Sequence, residues 1–313
     1  MSLRSRSLAL TVVAVLAGAV LLSACASHSA TVAGGGPVVV ATTTQVGDFT
    51  REVAGSRAGV RQILSANSDP HAYEPRPSDV RAVTGAAVVV RSGADLDDWL
   101  GGVLDNAGSD ARALDLIDSV HTRRGEGGVD PHWWQDPRNA EIAVGRIRDA
   151  LIAADPAGRA TYTANAAAYR ARLRRLDRAI ATCMAAIPAA RRRLVTDHDA
   201  LGYYAARYGI EVIGTVIPAL STQAQASAGA VARLVRTIRR AGVTTIYTET
   251  SANAKLSRAI ARDAGAAVGP PLYADSLGPQ GSAGATYIGS LRANTLALVR
   301  GFGAGRARCA LPG

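Results

Sequence analysis

"AAVVVRSG", Ala86 to Gly93, is an apolar, mostly β-branched run closed by a turn. Nothing in it alternates between apolar and polar. A strand with one wet face alternates, so this one reads as buried on both faces, as in a parallel sheet covered by helices. Working outward, the same kind of run recurs with helical stretches between. Upstream lie the strand "PVVVATT" (37–43), the helix "VGDFTREVAG" (46–55), the strand "VRQIL" (60–64) and the short helix "SDVRAVTG" (78–85). Downstream come the helix "ADLDDWLGGVLDNAG" (94–108) and the strand "ARALDLID" (111–118).

A helix then opens at "DPRNAEIAVGRIRDALIAAD" (136–155), with Asp136 as N-cap and Pro137 at the first helical position. A longer one runs from about Arg159 to Ile187, where Leu173, Leu176, Ile180 and Ile187 keep a helical period and Pro188 ends it. At 1.5 Å per residue it spans roughly 40 Å, the width of a domain. The alternation resumes with "RRLVTDH" (192–198), "DALGYYAARYG" (199–209), "EVIGTVI" (211–217), "AGAVARLVRTIRRAG" (228–242), "VTTIYTE" (243–249), "NAKLSRAIARDAG" (253–265), "AVGPPLYAD" (267–275) and "ATYIGSLRANTLALVRGF" (285–302). The pattern predicts an α/β chain of two (β/α) lobes with parallel sheets, residues 37–158 and 189–313, joined by one long rigid backbone helix at 159–188.

Composition narrows the function. The 313 residues are 48% hydrophobic, enough to bury a sizeable core. The net charge of +10 is almost all arginine, since Lys255 is the only lysine. These arginines are scattered over helical faces, and Arg191–Arg193 sit between a helix and a strand, so the charge reads as a solvated surface and not as a nucleic-acid interface. The N-terminus has a basic start, Arg4 and Arg6, and an apolar stretch ending at "LSAC", Leu22 to Cys25. This is the form of a secretory signal (1–25), and its ending resembles the bacterial lipobox, in which Cys25 would be lipidated; an uncleaved membrane anchor is the alternative. Either places the rest outside the cytoplasm, behind a flexible Ser/Ala/Gly tether at 26–36. In that oxidising setting Cys183 and Cys309 read as a bridged pair, or else as a buried helix thiol and a separate tail thiol.

Two stiff, proline-rich loops echo each other: "DPHAYEPRP" (69–77) and "DPHWWQDP" (130–137). They carry two of the chain's five histidines, His71 and His132, and both follow expected strands. His198 ends "RRLVTDH", and Asp275 ends "PPLYAD". Ligands of open parallel sheets bind beyond the carboxyl ends of the strands, and imidazoles with a carboxylate suit zinc. Singly, each has a plainer reading: a solvated loop histidine, as for His28 and His121, or a helix-capping aspartate.

Taken in order and spacing, "DPHAYEPRPSD", "DPHWWQDPRNA", "VTDHDALGYYAARYGI" and "YADSLGP" resemble the metal-binding solute receptors of bacterial zinc and manganese ABC importers, the cluster A-I family. The resemblance covers about Val38 to Phe302. It implies two (β/α) lobes, a backbone helix between them, and a metal at the interface held by His71, His132, His198 and Asp275. A histidine at position 198 resembles the zinc-type receptors, whereas manganese-type ones typically have glutamate there. The loop "HTRRGEGGVD" (121–130) is short and offers only His121 for auxiliary capture. Glu74, Asp197, Asp199 and Glu249 are the acids expected to hold the histidines' other N–H groups. The function implied is a zinc receptor, not an enzyme, that is monomeric, lipid-anchored through Cys25 and hands Zn²⁺ to an ABC permease. Mn²⁺ is the alternative cargo, and a secreted zinc hydrolase the alternative class.

Overall fold

The computed structural model describes residues 36–313, apart from 109–110, 126, 304, 306–307 and 313. The signal stretch through Cys25 and all of the tether but Gly36 lie outside the described residues. No helix among the described residues is long and apolar enough to cross a membrane.

The first half builds one four-stranded parallel sheet from β1 (Val38–Ala41), β2 (Gly59–Gln62), β3 (Val88–Arg91) and β4 (Arg112–Asp115), in the order β2-β1-β3-β4. Composition sets the order. The all-apolar "VVVA" and "VVVR" strands are buried and take the centre, while the more polar β2 and β4 occupy the edges. Helices α1 (Thr44–Ala54), α2 (Pro77–Val83) and α3 (Leu100–Ala107) connect them. A small antiparallel hairpin, β5 (Arg124–Gly125) and β6 (Gly128–Val129), precedes α4 (Pro137–Ala154), which Asp136 caps by accepting from the Arg138 N–H.

The rod is α5 (Arg159–Ala185), 27 residues long. Its buried stripe of Tyr162, Ala166, Tyr169, Leu173, Leu176, Ile180 and Met184 follows the 3.6-residue period. It packs against α1 and α4 from the first half and α6 (Gly202–Tyr208) and α9 (Tyr287–Phe302) from the second. Two buried acids tie it in. Asp48 on α1 accepts from the Tyr169 hydroxyl at 3.0 Å and the Tyr287 N–H at 3.2 Å. Asp177 on the rod accepts from Arg207 at 2.9 and 2.6 Å and from the Tyr208 hydroxyl at 2.9 Å. The main apolar core therefore runs from Val39 through the rod to Phe302.

The second half is built from two parallel strand pairs. β7 (Arg193–Thr196) pairs in parallel with β8 (Glu211–Thr215), and β9 (Thr245–Ile246) with β10 (Ala267–Val268). The Tyr247 N–H, just past β9, donates to the Val195 carbonyl at 3.0 Å and sets β9 beside β7. Helices α7 (Ala228–Ala241) and α8 (Lys255–Ala264) follow β8 and β9. Cys183 on the rod and Cys309 beyond α9 are joined by a disulfide.

Candidate metal site

The two Asp-Pro-His loops fold alike for a local reason. Asp69 turns back to accept from the His71 backbone N–H at 2.9 Å, and Asp130 does the same for His132 at 3.0 Å. An aspartate two residues before the histidine thus makes an Asx turn, while proline fixes the backbone between them. Each turn carries its imidazole beyond the first sheet. His198 needs no such loop, because it stands just past β7.

These elements and the loop after Leu272 bring His71, His132, His198 and Asp275 together, with one potential ligand atom from each within 4.8 Å of the others. His132 Nε2 lies 3.4 Å from Nε2 of both His71 and His198. Asp275 Oδ1 is 3.3 Å from His132 Nε2, and Oδ2 is 3.3 Å from His198 Nε2 and 3.6 Å from His71 Nε2. A tetrahedral ion with bonds of about 2.0–2.1 Å separates its ligands by about 3.3–3.4 Å, which is nearly the spacing found. Both Asp275 oxygens are buried without a hydrogen-bond partner. An orphaned carboxylate facing three imidazoles is costly unless a cation or protons fill the gap.

The ring orientations are set from behind. His132 Nδ1–H donates to Asp130 at 2.8 Å and His198 Nδ1–H donates to Glu249 at 2.8 Å, so in both rings Nε2 faces the cluster. Glu249 is held in turn by its own N–H donating to Asp197 at 2.8 Å. Asp275 is positioned by the aromatic motif, since Trp134 Nε1 and Gln135 Nε2 both donate to the Ala274 carbonyl, at 3.0 and 2.8 Å. Of the acids expected to support the histidines, Glu249 touches a ring and Asp197 acts through Glu249. Asp199 is half-buried and Glu74 is exposed, and among the described residues neither is bonded to one of the four. Glu74 is lost to solvent because Tyr73 and Arg76 around it are drawn instead to the buried Asp79. His121 is exposed and outside the cluster, its backbone paired with Asn139. The residues that sequence reasoning missed are Asp130, Trp134, Gln135 and Thr222, whose hydroxyl donates to Asp69 at 2.6 Å. The repeated Asp-Pro-His was the available signal for Asp130.

Electrostatics divide the three histidines. Burial lowers the His71 imidazolium to about 4, against the opposing pull of Asp275. Burial also works against charge on His132 and His198, but carboxylates outweigh it. Asp130 and Asp275 lift His132 to about 9, and Asp275 and Glu249 lift His198 to about 10. Burial pushes Asp275 up, but His198 and His132 hold it well below the usual carboxylate range. A metal needs neutral Nε2 atoms. At pH 7, below both raised values, it must displace about two protons, whereas His71 has none to give. Affinity should therefore rise steeply with pH, by up to about 100-fold per pH unit between pH 5 and 8, and level off above about 10. Calorimetric titration in buffers of different ionisation enthalpy reads the protons directly, and release of none at pH 7 would contradict the arrangement.

The family model for the zinc-uptake complex component A, periplasmic, matches residues 39–301. The manganese-binding lipoprotein MntA of Halalkalibacterium halodurans is 31% identical over 272 residues, 86% of this chain and 89% of that protein. The iron-binding protein YfeA of Yersinia pestis is 29% identical over 269 residues, 85% of this chain and 86% of that one. Among solved structures, the periplasmic zinc binding protein TroA from Treponema pallidum matches with a TM-score of 0.81 at 26% identity, covering 86% of this chain and 99% of that one. From Val39 on, the matched span takes in the strands of both halves, the rod and all four clustered side chains. The chain therefore belongs to the family of the zinc-uptake component A, the metal-binding receptors of ABC importers, which are substrate-binding proteins and not enzymes.

Proposed function

We propose that this protein is an extracytoplasmic zinc receptor, lipid-anchored through Cys25, that binds Zn²⁺ through His71, His132, His198 and Asp275 and delivers it to an ABC permease. The observation that carries the reading is the donor set and its spacing: three imidazole nitrogens and a carboxylate, with His132 3.4 Å from each other imidazole and Asp275 3.3–3.6 Å from all three. Three nitrogens favour a borderline-soft, tetrahedral ion over Mn²⁺, which prefers more oxygens in a larger shell. A second reading, Mn²⁺ or Fe²⁺, draws on Asp275, whose two oxygens both face imidazoles and could supply a fifth donor. The manganese and iron named in the relatives above lean the same way.

Competition titration separates the two readings. Zinc should displace manganese from the purified protein at equal concentration, with an affinity ratio above about 100, as the order of divalent-ion affinities leads one to expect for a nitrogen-rich site. Manganese holding its own would transfer the proposal to the second reading. For the anchor, Cys25→Ser should abolish incorporation of a labelled fatty acid, and label retained in that variant would exclude Cys25 as its site.

A further inference from the structure

The four clustered side chains are not equally enclosed. Those of His132, His198 and Asp275 are 0% exposed, while that of His71 keeps 7%. His71 forms part of the wall of a cavity of about 280 Å³ whose other walls come from both halves of the molecule: Leu96 and Pro131 on one side, Ala219 and Leu220 on the other. At about 30 Å³ per water that space holds roughly nine waters, enough for an ion that still carries part of its hydration shell. Leu96, Pro131, Ala219 and Leu220 make part of the wall apolar, and nearly as much of it is polar. Asp95 is the only acid among the lining residues, and it is exposed.

The backbone that presents Asp95 is strained. Gly93, Ala94 and Asp95 have φ of 87°, 54° and 63°, three successive residues in the left-handed region. Ala94 has no side-chain hydrogen bond to offset that cost. What holds the turn is Asp97, a buried carboxylate that accepts from the Ser92 N–H at 2.6 Å, the Gly93 N–H at 2.9 Å and the Thr42 hydroxyl at 2.6 Å. An exposed carboxylate on a held turn, lining a cavity that also reaches the less enclosed histidine of the cluster, is placed to meet a cation before the site does.

We infer that this cavity is the route by which the divalent ion reaches and leaves the site, and that Asp95 is its outer contact, passing the partly hydrated ion to His71. The inference rests on the proposed metal site. It makes Asp95 a rate-setting residue and not a ligand of the bound ion. A carboxylate that an ion passes in both directions lowers the barrier for arrival and departure alike.

The experiment is stopped-flow measurement of zinc association, and of release into excess chelator, for the wild type, Asp95→Asn and Asp95→Gly. Both replacements tolerate positive φ, so neither adds strain. Association should slow about fivefold at low ionic strength, with the difference shrinking as salt screens the charge. Release should slow as well, leaving the equilibrium affinity within about threefold of the wild type. Unchanged association rates in both variants would overturn the inference, and so would faster release, which would mean that Asp95 merely stabilises the bound ion. If the wild type itself failed to bind zinc, the proposed site and not the route would be at fault.

Discussion

Replacing His132 by alanine should weaken zinc binding by more than about 100-fold, the largest effect expected of any single change in the site. His132 is the centre of the cluster: its Nε2 is 3.4 Å from both other imidazole nitrogens and 3.3 Å from Asp275. Altering a residue that only orients a ligand typically costs 10–100-fold in metal affinity, so deleting a ligand must exceed that range. The loss should also erase the rise in melting temperature that zinc confers by mass action. Asp130→Asn gives the graded comparison. Asparagine can still accept from the His132 backbone N–H, so the turn survives, but the charge that raises the ring's basicity is gone. Affinity should drop by about tenfold to 100-fold. Fewer protons should be released at pH 7, because without the carboxylate His132 titrates lower. Competition against a chromophoric chelator measures both variants. Wild-type affinity in His132→Ala would remove that residue from the site.

How much of this could be read from the chain depends on where each constraint lies. "VVVA" and "VVVR" were legible as central strands because β-branched, uninterrupted apolar runs have few other uses. The rod was legible for a similar reason, its stripe being dictated by local spacing. The helix expected from Ala94 starts only at Leu100, because Asp97 turns inward and captures the N–H groups of Ser92 and Gly93. A buried acid spending itself on preceding backbone is invisible to periodicity. "VTTIYTE" shrank to Thr245–Ile246 as a regular strand, since beyond it the pairing moves to isolated bonds with Val195 and Leu272. His198 and Asp275 stood out as the last residues of expected strands, and His71 and His132 as the histidines of a repeated Asp-Pro-His loop, which is local information. Their supports did not: Trp134 and Gln135 reach a carbonyl about 140 residues away, and Glu249 meets His198 only once β7 and β9 lie side by side. Glu74 looked equivalent in sequence, but solvent claims it.

Removing the Cys183–Cys309 bridge should lower the melting temperature by up to about 10 °C while leaving zinc affinity nearly unchanged. The bond joins residues separated by 126 positions, with Cα atoms 5.3 Å apart. Its main effect is on the unfolded chain, where closing so long a loop removes conformational entropy worth about 5 kcal/mol at most. For a domain of this size, each kcal/mol shifts the melting temperature by roughly 2 °C. Cys183 belongs to the core along the rod, with Cys309 packed against that core, so the bridge fixes the tail to the helix that both halves share. Neither sulfur is among the clustered metal-binding candidates, so the site should keep its geometry once the tail is freed. The comparison is best made with a Cys183→Ala/Cys309→Ala double variant, because thiol reductants bind zinc and would confuse the affinity measurement. Calorimetric melting of the metal-free proteins gives the stability difference, and chelator competition gives the affinity. A double variant that melts with the wild type would show that the bridge does not constrain the unfolded chain. Two free thiols in the unreduced, denatured wild type would show that the bridge does not form. A tenfold loss of zinc affinity in a variant that remains folded would mean that the tail and rod help set the spacing of the four side chains.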